Sequence, residues 1–239
     1  MDWMSRIDLF SPLDGAALAL LCIAWLGIGW RIEHPSPKSP SVSVLMANYR
    51  RVWMREMVQR DPRIFDAQTL STLRQGAAFF ASASMIAIGG ALAMAGNGER
   101  LSGLANDLIL DSTPVFVWEV KLLLVALFLT NAFLKFVWSH RLFGYCAVLI
   151  AAVPNDPTDP AALPRAAKAA EINITAARGF NRGLRSVYFS LGAAAWMLGA
   201  WALIVATTLT LFVLWRREFA SHSRAVLMQT DDHPLHTQT

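Results

Sequence analysis

Four apolar runs, each long enough to cross a bilayer, constrain this chain more than any other feature. They cover about Leu13 to Trp30, Gln75 to Ala95, Val115 to Val137 and Leu191 to Trp215. A hydrocarbon core about 30 Å thick takes about 20 helical residues to cross. Composition agrees: 55% of the 239 residues are hydrophobic and only 16% are charged, where a soluble domain carries about a quarter. The expected fold class is an all-α integral membrane protein. It has four transmembrane helices with cytoplasmic amphipathic helices, in one membrane domain over residues 1–218. The third helix is the longest. From Pro114 to Val153 it would run about 60 Å, about twice the hydrocarbon core, so it extends into the cytoplasm.

Charge gives the threading. Arg31, Lys38, Arg50, Arg51, Arg55, Arg60, Arg63 and Arg74 lie between the first two runs. Arg141, Arg165, Lys168, Arg178, Arg182 and Arg185 lie between the last two. The middle connection holds Glu99, Arg100, Asp107 and Asp111. Positive charge marks the cytoplasmic side, so the basic loops face inward and, with four spans, both termini lie outside. Arg216 and Arg217, just after the last run, fit this threading poorly. The expected location is a bacterial inner membrane. The flank Met1 to Asp8 is more acidic than basic and does not read as a cleaved signal.

Three prolines between His34 and Pro40 forbid helix. Beyond them Val42, Leu45, Tyr49, Val52, Trp53 and Met57 recur at helical spacing, with Arg50, Arg51, Arg55 and Arg60 in other sectors. This is a basic amphipathic helix expected on the inner leaflet surface. Asp61-Pro62 reads as the start of the next helix. Ala83, Ala87, Ala91 and Ala95 form a small-residue ladder for close helix contact, and Gly192 and Gly199 mark a second such face in the last run. Gly179 and Gly183 form a GxxxG in a polar context, a weak signal. The tail over 219–239 lacks periodicity and reads as disordered.

Charges inside spans are functional candidates by default. Lys121 and Lys135 stand about 21 Å apart along one helix, and each stem adds about 5 Å, so both ammonium groups can snorkel to opposite interfaces. Glu119 faces away from Lys121. Asn131 lies mid-helix and cannot snorkel. It reads as an interhelical hydrogen-bonding residue, with a solute or ion contact alongside Lys135 as the alternative. Arg178, Arg182 and Arg185 share one helical stripe, and with Arg51 and Arg55 they read as contacts for anionic lipid headgroups or another anion. Cys22 and Cys146 read as buried thiols. The sequence contains no phosphate loop, dinucleotide fingerprint, CxxC or HExxH. No cofactor, metal, catalytic residue or nucleic-acid partner is expected.

Four blocks of residues carry a resemblance. They are Arg51-Val52-Trp53-Met54 with Arg60, Arg63-Ile64 and Asp66; Phe79-Phe80-Ala81-Ser82; Lys135-Phe136-Val137-Trp138-Ser139-His140-Arg141; and Phe180-Asn181-Arg182-Gly183-Leu184-Arg185 with Tyr188-Phe189. Together they resemble the bacterial and plant membrane proteins called domain of unknown function 599. The resemblance implies a polytopic inner-membrane protein and no particular activity. The expected function is non-enzymatic: association through small-residue faces with a second copy or a larger membrane complex. The alternative is a channel or carrier for a small ion or solute.

Overall fold

A computed structural model describes residues 9–97 and 114–229. The flank Met1 to Asp8, the connection with Glu99, Arg100, Asp107 and Asp111, and the last ten residues lie outside them. The elements are α1 (Pro12–Glu33), α2 (Val42–Met57), α3 (Ile64–Ala95), α4 (Val115–Ala151) and α5 (Ala162–Ala194). A 3-10 turn (Ala195–Leu198), α6 (Ala200–Phe219) and α7 (His222–Leu227) follow. Four stretches are long and apolar enough to cross a membrane: α1, α3, α4 and Ala200–Leu227.

Local chemistry explains several boundaries. Ser11 Oγ accepts from Asp14 N at 3.2 Å while Ser11 N donates to Asp14 Oδ2 at 3.0 Å, a reciprocal cap that starts α1. Ser41 caps α2 and also donates to the Ile32 carbonyl at 2.8 Å, holding α2 against the end of α1. The α3 helix begins at Ile64, after Asp61-Pro62 and not at it. There Arg63 donates to the carbonyls of Val153 and Pro154, both at 2.6 Å.

The organising contact is the antiparallel pair α4 and α5, about 55 Å and about 50 Å long. Small residues let them approach. Ala162, Ala166, Ala169, Ala170, Ala176, Gly179 and Gly183 are buried along α5. A methyl group placed at Gly183 would stand 2.7 Å from the Phe136 ring, and one at Gly179 would stand 3.7 Å from Ser139 Cβ. The polar GxxxG is therefore a close helix contact.

Two main cores stack along this pair. One joins α1, α4, α5 and α6 through Leu21, Ile28, Phe128, Phe189 and Leu203. The other joins α2, α3, α4 and α5 through Met54, Met57, Leu70, Phe143, Cys146 and the α5 alanines. Met54 and Met57 of α2 are thus buried against protein, while Tyr49 and Val52 are exposed. Cys146 is buried, whereas Cys22 is exposed on α1.

The apolar run 191–215 is not one helix. Helix α5 continues through Ala194, the chain turns over 195–199, and α6 starts at Ala200. Gly199 has φ +112°, a conformation that glycine adopts without strain. Gly192 then packs against α6, 3.5 Å from Thr210 Oγ1 by its missing methyl. So α6 runs back along α5, and Glu218 near its end bonds Ser43 at the start of α2. The start of α1 lies at the other end of the bundle, where Asp14 meets Trp196. The tail is also partly ordered: α7 is capped by Ser221, and Arg224 Nε donates to the Pro40 carbonyl at 2.8 Å.

The alanine ladder of α3 divides between two faces of the helix. Ala77, Ala81, Ser84 and Ala91 are buried, Ala95 is half-buried, and Ala83 and Ala87 are exposed. A strict four-residue spacing drifts around a 3.6-residue helix, so the inward face changes membership along it.

Gly183→Ala is expected to destabilise the protein by about 1–3 kcal/mol, because the Phe136 ring is fully buried between Phe80 and Phe180 and has nowhere to move. Thermal unfolding in detergent checks this. An unchanged midpoint would mean that α4 and α5 can separate at that level without cost.

Candidate functional site

Glu33 ends α1 and is the one carboxylate between Asp14 and Glu56 in the sequence. It receives two arginines from α5, one turn apart. Arg182 donates through Nε at 2.8 Å and through Nη2, and Arg185 donates through Nη2 at 2.6 Å. Arg185 is 8% exposed and Arg182 is 45% exposed. Gly29, one turn before Glu33, faces Arg185: a methyl group there would stand in ordinary contact, 4.0 Å from Arg185 Nε.

On one side of this clamp lies a cavity of about 300 Å³ between α1, α2, α5 and α6. Arg50, Arg178, Arg185, Arg217 and Asn181 line it, against the carboxylates of Glu33 and Glu218. Both carboxylates are already engaged. Glu33 holds the arginine pair, and Glu218 accepts from Ser43 N and Oγ, each at 3.0 Å, at the positive end of α2. Arg50 donates to Asn173 Oδ1, and Arg217 to the Tyr188 hydroxyl at 2.6 Å, so two guanidiniums have neutral partners. Burial lowers the proton affinity of the Arg50 guanidinium. Arg178 is exposed and forms no ion pair among the described residues. The arrangement can hold an anion with several oxygens.

On the other side is a groove of about 370 Å³ between α1, α4 and α5. It brings Asn131, Lys135, Arg182 and Arg185 together with Trp25, Trp30 and Ser186. Asn131 Nδ2 donates to Ser186 Oγ at 2.6 Å, tying α4 to α5.

The other sequence candidates lie elsewhere. Arg51 pairs with Glu171 of α5 at 2.7 Å, and Arg55 is exposed beside it. Lys121 does not snorkel freely. It is 7% exposed, with Nζ over the Trp118 and Trp196 rings at 5.5 and 5.6 Å. Asp14 Oδ1 accepts from Trp196 Nε1 at 2.6 Å beside it. Glu119, half-buried, forms no ion pair among the described residues.

A family model described as "Protein of unknown function, DUF599" matches residues 16–223. The chain belongs to that family. No curated protein and no solved structure matches it.

Several residues behind the DUF599 resemblance meet in the structure. Trp53 Nε1 and Arg60 Nη1 both donate to Asp66 Oδ1, at 2.7 and 2.5 Å, and that carboxylate is fully buried. His140 meets Arg74, its Nδ1 within 3.2 Å of the Arg74 carbonyl, which joins α4 to α3. Sequence reasoning missed Glu33, Arg50, Asn173, Arg217 and Glu218. Only Glu33 carried a signal: a lone acid at the end of a span, entering an otherwise basic loop.

Glu33→Gln is expected to cost about 3 kcal/mol, because it strands the buried Arg185 charge. Arg182→Gln, at the more exposed partner, is expected to cost about 1 kcal/mol or less. The two unfolding midpoints in detergent give the comparison. Equal effects would mean that burial does not distinguish the arginines.

Proposed function

We propose that this chain is a non-enzymatic inner-membrane protein that holds a phosphate-type anion in the basic cavity. The observation that carries this reading is the set of four guanidiniums, Arg50, Arg178, Arg185 and Arg217, facing a cavity whose two carboxylates are already committed. Guanidiniums are planar, multi-donor groups suited to phosphate and carboxylate oxygens.

The same reading orients the bundle. The α1 start and the α5–α6 turn face outside. The end of α1, all of α2, the 152–161 connection and the end of α6 face the cytoplasm. With α5 passing through the membrane layer beside α6, the chain crosses five times and Arg216 and Arg217 join the other cations. The positive-inside rule supports this arrangement without the exception that four spans require. Anionic headgroups of the inner leaflet lie opposite the exposed Arg55, Arg178 and Arg216. Association with a second copy or a larger complex would use the outward face of α3, where Ala83, Ala87 and Gly90 are exposed.

Transport is the weaker reading. Between Asn131 and Lys121 the rings of Trp25, Phe128 and Phe189 pack together, with centroids 5.2 and 6.4 Å apart. These rings separate the two polar groups along α4.

Inorganic pyrophosphate binding to the purified protein, followed by calorimetry, tests the cavity. Arg178→Gln is expected to weaken binding about tenfold without unfolding the protein, since Arg178 supports no ion pair among the described residues. Absence of binding to the unmodified protein would remove the anion reading. Orientation is tested by labelling single cysteines at Ser221 and Ser36 from either side of vesicles. Both are expected to react from the cytoplasmic side, and reaction of the Ser221 position from outside would end the five-crossing arrangement.

A further inference from the structure

The groove on the far side of Glu33 differs from the basic cavity in one respect: its α1 wall carries the apolar side chains Trp25, Leu26 and Trp30, the last two exposed. Trp25 and Trp30 line it. Around it Leu26, Trp30 and Leu134 are 63%, 64% and 58% exposed. In a membrane these side chains meet acyl chains, and tryptophans at the end of a span lie at headgroup level. The polar half is cationic. Lys135 is half-buried, and among the described residues its ammonium has neither an ion-pair nor a hydrogen-bond partner. Arg182 lies beside it and commits Nε and Nη2 to Glu33.

Two requirements therefore meet at one place. An unpaired ammonium at the rim of a low-dielectric layer calls for an anion. The exposed Leu26 and Trp30, beside the half-buried Trp25, call for a hydrocarbon chain. A free phosphate satisfies only the first requirement, and a neutral acyl chain only the second. We propose that this groove is a site for one phospholipid with a net negative headgroup, its phosphate on Lys135 and Arg182 and an acyl chain along Trp25 and Leu26. A zwitterionic headgroup suits the site less well, because its own ammonium would approach Lys135 and Arg182. The site does not depend on what the basic cavity binds: the groove has its own donors and its own apolar wall, and shares only Glu33 and Arg185 with the cavity.

Acyl-chain-brominated lipids, which quench tryptophan on contact, test this in reconstituted full-length protein. Brominated phosphatidylglycerol and brominated phosphatidylcholine are titrated separately into phosphatidylcholine vesicles. Trp25→Phe/Trp30→Phe protein isolates the groove signal. Phosphatidylglycerol is expected to quench that component at lower mole fraction than phosphatidylcholine. Lys135→Gln is expected to reduce the preference about fivefold, the weight of one basic residue beside a charged headgroup. Lys135→Arg keeps the charge and is expected to retain the preference, which separates lost binding from misfolding. Three results would each overturn the proposal. One is equal quenching by the two lipids. Another is an unchanged preference in Lys135→Gln. The third is loss of the preference on adding millimolar inorganic phosphate, which would identify a soluble anion as the occupant. Failure of pyrophosphate to bind the basic cavity would leave this site untouched.

Discussion

The close approach of α4 and α5 is the constraint on which the rest of the structure depends. It exists because α5 presents alanine and glycine where α4 presents Phe136, Ser139, Phe143 and Cys146. At that separation short polar groups reach across: Asn131 to Ser186, and Ser139 Oγ to the Ala176 carbonyl at 2.7 Å. These bonds fix the rotation of α5 about its axis. That rotation aims Arg182 and Arg185 at α1, and Asn173 at Arg50. A larger residue on the stripe would move every one of these partners together, since they ride on a single rigid helix.

Glu33 converts this scaffold into two chemically different compartments. Its carboxylate lies where α1, α2 and α5 converge, and it draws both arginines to one point. Without it two guanidiniums would face each other across low-dielectric space. With it, one face of the clamp is a polar cavity toward α2 and α6, and the other is a groove between α1 and α4 with an outward apolar wall. The Glu218–Ser43 bonds close the first compartment by fastening α6 to the start of α2.

How much of this the sequence disclosed depended on the range of the interaction. Run length and composition report directly on the cost of exposing backbone and side chains to hydrocarbon, so four membrane-length helices were legible. The family resemblance was legible because its residues fall in short contiguous blocks. The break near Gly199 was not, because Trp196, Met197 and Leu198 are as apolar as the helices they separate. A polar, alanine-rich helix over roughly Arg165 to Tyr188 was legible, but its burial was not: its inward side is small and not oily, and its arginines are neutralised by residues far away in the chain. Spacing arithmetic for Lys121 considered one helix in isolation. It had no means of placing Trp196 over the ammonium. Asn131 was legible as an interhelical donor by type, but its partner Ser186 came only with the fold.

The turn at Ala195–Gly199 has a consequence for how the protein is made. Helix α5 carries Arg182 and Arg185 at the level of Glu33, the end of α1, and charged groups at the edge of a span cost less to insert than central ones but still oppose insertion. Helix α5 is therefore a poor candidate to leave the translocon alone. Tied to α6 by a short turn, it can enter as a helical hairpin whose second arm supplies the hydrophobicity. The counter-charge for Arg182 and Arg185 is Glu33, on a helix that is synthesised earlier. The order of elements along the chain thus places the counter-charge ahead of the helix that needs it.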